Sequence, residues 1–343
     1  MNRSRIYQIL FLVLSVVFIY IFFTHFGEFK SALVTLSGGV WYFLLAALML
    51  QVIGIVNKGA LFHALYDYFS VKDTLKKFIK IALASNFLNL VAPTAGFSGM
   101  ALFVSEAKDQ SVTKSKVIII NLVYYFLVYG FFLFVLLFGL FYLFFNQQLQ
   151  NYQLVTAGIL FGIISAMLVF LIISIRGIVR FKKLIGFLAT VVNFVPKILV
   201  RRKIIEESQI RFLANETSEL SRMVVGKWRG LMLPILHVAL MEIIDILTLY
   251  YLFLAFGYYV YPGILITAYA VGFLFQLVSI TPSGIGVVEA TMIVVLTGMK
   301  VPVEIATIVV LGYRFITFWL PFFAGFEAFR MLKNGKSVPR AAT

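Results

Sequence analysis

The chain has 343 residues, 62% hydrophobic and 13% charged, with mean hydropathy +1.00 and a formal net charge of +15. Ordinary globular chains are roughly 45–50% apolar and about 25% charged, and no soluble interior of this size buries so much apolar side chain. Lipid is therefore the solvent, which excludes a soluble enzyme, a free nucleic-acid binder and a disordered chain. The absence of Cys removes disulfides, thiolate nucleophiles and Cys-based metal sites. No metal or cofactor is expected. The positive charge reads as basic cytoplasmic loops, with attraction to anionic lipid as a second reading.

Arg3 and Arg5 precede the apolar run Ile6–Phe23. It is longer than the roughly 7–15-residue core of a signal peptide, so it reads as a first membrane helix entering from the cytoplasm. The apolar segments in chain order are Tyr7–Phe23, Val40–Val56, Ile81–Val104, Val117–Phe145, Leu154–Ile175, Leu231–Phe256, Pro262–Ile280 with Val287–Met299, and Val303–Phe329. No alternating strand pattern appears, and open sheet edges are not tolerated in hydrocarbon. The fold class is an all-α polytopic membrane protein with eight hydrophobic segments.

Charge constrains how these segments cross. The connection 176–229 carries Arg176, Arg180, Lys182, Lys183, Lys197, Arg201, Arg202, Lys203, Arg211, Arg222, Lys227 and Arg229 against four glutamates. It is expected in the cytoplasm with the N-terminus, the basic loop Lys72–Lys80 and the C-terminal tail. Asn146–Tyr152 and Gly257–Pro262 carry no charge and read as external. Eight simple crossings violate this pattern. Six crossings plus two re-entrant hairpins satisfy it: Ile81–Val104 broken at Pro93, Gly96 and Gly99, and Pro262–Met299 broken at Thr281-Pro282-Ser283-Gly284-Ile285-Gly286. The arm Ile81–Ala92 would be ~18 Å long as helix. Crossing, hairpin, crossing then occurs twice in opposite orientation, an inverted repeat of transporter type. Residues 1–343 form one integral membrane domain. Its basic connection holds an amphipathic helix from Phe181, either interfacial or packed on the bundle.

Ionisable residues inside spans need partners or a wet cavity. Glu242 and Asp245 share one helix face. Glu289 lies in the first turn after the Gly284–Gly286 break, and Arg314 lies near the middle of the last span. Lys58 is near a helix end and free to snorkel. Arg314 is expected to pair with Glu289 or Glu242, either to lock helices or to line a substrate cavity. A helix starting at Val287 would present free amides beside Ser283, Gly284 and Gly286, an arrangement suited to a phosphate. Pro93, Thr94, Gly96 and Ser98 repeat it in the first hairpin. Asn86 and Asn89 are the polar candidates there, with Asn121 and Gln276 as interhelical glue. Gly139 sits in a plain apolar span and is expected to tolerate a larger side chain.

The stretch from Ile280 to Ala290 carries Pro282, Gly284, Gly286 and Glu289. Together with Tyr313-Arg314-Phe315, Phe318-Trp319-Leu320-Pro321, Gly325, and Asn89, Pro93 and Gly96, it resembles the lysylphosphatidylglycerol synthase transmembrane region, a flippase-like family. Where many members have an acid and an arginine after the first glycine, this chain has Phe97-Ser98-Gly99, which weakens the carry-over of a charged site to the first hairpin. The resemblance implies a translocator for an anionic phospholipid or a polyprenyl-phosphate carrier in a bacterial or archaeal plasma membrane. The soluble aminoacyl-transfer domain of long members is not expected, since the chain ends at Thr343. Arg314 and the hairpin tips would hold the phosphate, with Glu289 and Glu242 balancing Arg314. The alternatives are a non-catalytic scaffold for a separate lipid-modifying enzyme and an intramembrane lipid transferase, with homo-oligomers allowed by either.

Overall fold

The computed structural model describes residues 36–91, 97–106, 112–147, 228–279 and 281–334, with Gly27 and scattered positions between 149 and 169. The expected span Tyr7–Phe23, most of Leu154–Ile175 and nearly all of the basic connection lie outside the described residues. So do Pro93, Thr94 and Gly96.

All regular structure among the described residues is helical: α1 (Trp41–Tyr68), α2 (Leu75–Val91), α3 (Phe97–Glu106), α4 (Lys114–Phe145), α5 (Met232–Ala255), α6 (Pro262–Val278), α7 (Val287–Gly298), α8 (Val303–Arg314) and α9 (Leu320–Asn334). Among the described residues, four stretches are long and apolar enough to cross a membrane: Trp41–Tyr68, Lys116–Phe145, Arg229–Ala255 and Val303–Leu332. Helices α6 and α7 are apolar but shorter. The protein is an all-α polytopic membrane protein.

Local chemistry explains the boundaries. Helix α1 ends with Ser70 at φ 57°, where Val71 N–H reaches back to Tyr66 O and Ser70 N–H to Asp67 O. This Schellman closure satisfies its last carbonyls. Helix α2 begins at Leu75 rather than at Ile81. Thr74 Oγ1 accepts from Lys77 N–H at 3.4 Å, and Lys77 Nζ pairs with Asp73 at 2.8 Å. Two thirds of the basic stretch expected as loop, Leu75–Lys80 of Lys72–Lys80, is therefore helix, and the arm of 17 residues is ~25 Å long. Helix α6 stops at Ser279 ahead of Pro282, and Ser283, Gly284 and Gly286 all take positive φ. Three such residues in four cannot continue a helix. Between α8 and α9 the helix widens to a π-turn at Phe315–Trp319. Pro321, two residues past the turn, has no N–H to donate to Thr317 O, which accounts for the widening.

The two halves are arranged as an inverted repeat. Raising every residue number by 187 carries Leu75–Val91 onto Pro262–Val278, and Lys116–Phe145 onto Val303–Leu332. It also carries Tyr68, the last residue of α1, onto Ala255, the last of α5. Helices α1 and α5 pack antiparallel. Val40 N–H donates to Ala255 O at 2.8 Å, Gln51 Nε2 reaches Thr248 Oγ1 at 3.0 Å, and Asn57 Nδ2 donates to His237 O at 2.8 Å. Gly230 meets the ring of Tyr68 at the far end. Equivalent helices that run in opposite directions place the halves in opposite orientation. The hairpin arms exchange partners accordingly: α2 packs on α9 of the other half, and α6 on α4. Each contact is closed by a glycine, Gly325 over Leu83 O and Phe87, and Gly139 over Thr267 and Ala270.

Gly139 is thus a packing position, contrary to its reading as an unconstrained residue of an apolar span. A Cβ there would lie 3.2 Å from Ala270 Cβ and 3.3 Å from Thr267 Cα. Gly130, nine residues earlier on α4, faces open space.

Candidate functional site

Helix ends and midpoints from both halves enclose a cavity of about 590 Å³. Its wall contains Lys58 from α1, Asn86 and Asn89 from α2, Asp245 from α5, Gln276 from α6, Ser283 from the second turn, and Arg314 from α8. Residues far apart in the chain therefore meet in one place. Under the 187-residue shift, Asn89 falls on Gln276 and Lys58 on Asp245. The repeats present amides at one pair of equivalent positions and opposite charges at the other.

The first hairpin is tied together by Asn89. Its Oδ1 accepts from Gly99 N–H at 2.7 Å and from Ser98 Oγ at 2.9 Å. In the second hairpin Gln276 Nε2 donates to Ser283 Oγ at 3.1 Å. Both amides hold the start of the returning arm or turn against the entering one. Asn121 does not reach the cavity; its Nδ2 donates to Val117 O one turn back at 2.9 Å.

Of the two expected partners for Arg314, the structure selects Glu289. Arg314 Nε lies 2.6 Å from Glu289 Oε1, Nη2 donates to Ser283 O at 3.0 Å, and the guanidinium stands 5.1 Å from the Phe318 ring centroid. The second carboxylate oxygen of Glu289 accepts from Gly286 N–H at 2.7 Å. That closes a capping interaction at the start of α7. The amide expected to be free for a phosphate is already served by the protein's own carboxylate, because an acid at the third helical position reaches back to the cap.

Glu242 is 2% exposed and accepts from the Tyr269 hydroxyl at 2.6 Å. It does not line the cavity, nor do Glu289, Gly284 and Gly286, the last of which is exposed; Pro282 opens the turn Pro282–Gly284. Asp245, one turn on, does reach the wall, and its Oδ1 accepts from Gln51 Nε2 at 2.9 Å. Lys58 Nζ donates to Asn86 Oδ1 at 2.9 Å.

Matched against known families, residues 8–325 fit the lysylphosphatidylglycerol synthase TM region. The chain belongs to that family. A 92-residue stretch is 34% identical to a UPF0104 membrane protein of Methanocaldococcus jannaschii, spanning 27% of this chain and 27% of that protein. A family defined by a transmembrane region agrees with the four long apolar helices and with a multi-pass membrane protein.

Two features of this family member escaped the sequence reading. Gln51 and Thr317 line the cavity, and each is a polar residue inside an apolar span. That signal was available. The second is a cluster of phenols, Tyr124, Tyr125 and Tyr129 from α4 with Tyr269 and Tyr313, all on the cavity wall. The pattern Tyr124-Tyr125 with Tyr129 one turn on marks one face of α4, but the abundance of Tyr and Phe along the chain hides it.

Proposed function

We propose that this protein is a lipid translocator that moves an anionic or modified phospholipid, or a polyprenyl-phosphate-linked lipid, between the leaflets of a prokaryotic plasma membrane. Access would alternate around the cavity without covalent change in the lipid. The observation that carries this reading is the cavity itself, walled by both hairpins and lying between two antiparallel repeats. In transporters, substrate sites lie at the interface of such repeats, beside broken helices. A volume of about 590 Å³ falls in the ordinary range for a small-molecule site and accommodates a headgroup. The family's name, which refers to a lipid synthase, supports the substrate class.

Lys58 is the proposed phosphate ligand. Arg314 is committed to Glu289 and Ser283, whereas among the described residues Lys58 holds only a neutral amide by hydrogen bond. Exchanging Asn86 Oδ1 for a phosphate oxygen converts that bond into a charge-assisted pair. In proteoliposomes containing NBD-phosphatidylglycerol, dithionite quenching reports movement between leaflets. Lys58→Ala should slow it about tenfold or more, as expected for losing a charged hydrogen bond of ~1.5–3 kcal/mol. A Lys58→Ala protein that is monodisperse and as fast as wild type would remove Lys58 from the site. A wild-type protein that moves no lipid would overturn the translocator reading.

Orientation is tested separately. The Tyr68 end of α1 adjoins Gly230 before α5. Lys72, Lys76, Lys77, Lys80 and Arg229 gather at that end of the chain path, while Val40, Ala255 and the uncharged loops lie at the other. The basic end is proposed as cytoplasmic. The chain has no native cysteine, so single cysteines at the exposed positions Lys72 and Gln147 should react with an impermeant maleimide from opposite sides, Lys72 from the inside. Labelling of both from one side would break the six-crossing topology.

A further inference from the structure

Glu242 presents a problem that the lipid site leaves unsolved. It is 2% exposed, and its one hydrogen bond among the described residues is with the Tyr269 hydroxyl. No cationic side chain lies within ion-pair distance of it among the described residues. Lys58 is held by Asn86, and Arg314 by Glu289. An isolated carboxylate in a low-dielectric interior is too expensive to persist without a compensating positive charge.

Other groups surround Glu242. Asp245 lies on its own helix. Lys58 faces Asp245 from α1, Tyr124 comes from α4, Tyr269 from α6, and Tyr313 from α8, with Arg314 beside Tyr313. His237, earlier on α5, hydrogen-bonds Asn57 instead. Tyr124 and Tyr313 are 6% and 8% exposed, line the cavity, and interact electrostatically with Glu242. Neither hydroxyl has a hydrogen-bond partner among the described residues. Buried hydroxyls normally find one. A carboxylate without a cation, set among uncommitted hydroxyls beside a cavity, is the arrangement of an intramembrane proton site.

We propose that Glu242 carries a coupling proton, delivered from the cavity through Asp245 and the phenol hydroxyls, whose gain and release drive the alternation of access. This rests on the translocator reading above. A proton enters from the side to which the cavity is open and forms an O–H bond on the Glu242 carboxylate, neutralising it. After the cavity opens to the opposite side, the same O–H bond breaks and the proton leaves by the same hydroxyls. No other bond changes. Asp245 is the relay because it alone of the two carboxylates reaches the cavity wall.

The test compares NBD-phosphatidylglycerol movement in proteoliposomes with and without an imposed pH gradient, for wild type and Glu242→Gln. Glutamine keeps an oxygen for the Tyr269 hydroxyl, so the variant is expected to fold. The wild-type rate should rise several-fold with the gradient, and in Glu242→Gln the ratio of the two rates should fall to unity. Infrared difference spectroscopy of the purified proteins across pH provides a readout independent of transport. A protonated-carboxyl band should be present in wild type and missing in Glu242→Gln. Coupling is overturned if the variant keeps the wild-type ratio, if wild type ignores the gradient, or if a sodium gradient at constant pH replaces it. If no lipid moves under any condition, the translocator reading fails. The infrared arm then decides the proton site alone: an unchanged band in Glu242→Gln removes it.

Discussion

Arg314→Ala is expected to destabilise the second hairpin by about 3–5 kcal/mol, the range for removing one partner of a buried ion pair. Arg314 is 5% exposed, and its guanidinium links three structures: Glu289 on α7, the Ser283 carbonyl in the turn, and the Phe318 ring in the π-turn. Among the described residues, alanine leaves Glu289 with only the Gly286 N–H, and leaves the Ser283 carbonyl without its side-chain donor. Unfolding in mixed detergent micelles should show a large fall in midpoint. Glu289→Gln alone should show a comparable fall, because it strands the cation. The double variant Arg314→Ala/Glu289→Gln should recover much of the loss, since a charge removed on both sides leaves neither stranded. Single variants that lose less than about 1 kcal/mol, with no coupling in the cycle, would show that the pair does not hold the hairpin closed.

The glycines of the same turn should separate into two classes. Gly284 has φ 71°, and a Cβ there would lie 2.6 Å from Val288 Cγ2 and 3.1 Å from Gln276 Cα. Gly284→Val adds left-handed strain of ~1–2 kcal/mol to overpacking of ~1–3 kcal/mol. Gly286 has φ 80° but nothing within 4 Å of its Cβ position, so Gly286→Val should carry the conformational strain without the clash. Gly130→Val is the control, with helical backbone and open space around it. Gly139→Val should resemble Gly284→Val more than Gly130→Val, since its Cβ would press on the α6 backbone. The order of unfolding midpoints checks this. Equal midpoints for the Gly284 and Gly286 variants would mean that the contact with α6 relaxes freely.

The sequence by itself determined the solvent, the helical class and the places where helices break. These are properties of contiguous residues. An apolar run of membrane length has few other solutions, and Thr281-Pro282-Ser283-Gly284 favours a break in a regular α-helix wherever it lies in space. The charge pattern also indicated two opposed repeats, because loop charge is read segment by segment. Tertiary structure decided everything that depends on which surfaces meet. Glu289 and Glu242 looked equivalent as partners of Arg314, and only packing placed Glu289 within 2.6 Å and buried Glu242 against Tyr269. Lys58 read as a residue free to snorkel until α2 brought Asn86 to it. Gly139 read as unconstrained until α6 crossed it. In each case the deciding atom lies at least 25 residues away along the chain. Local pattern has no access to that distance, because pairing across a bundle is set by the packing of whole helices.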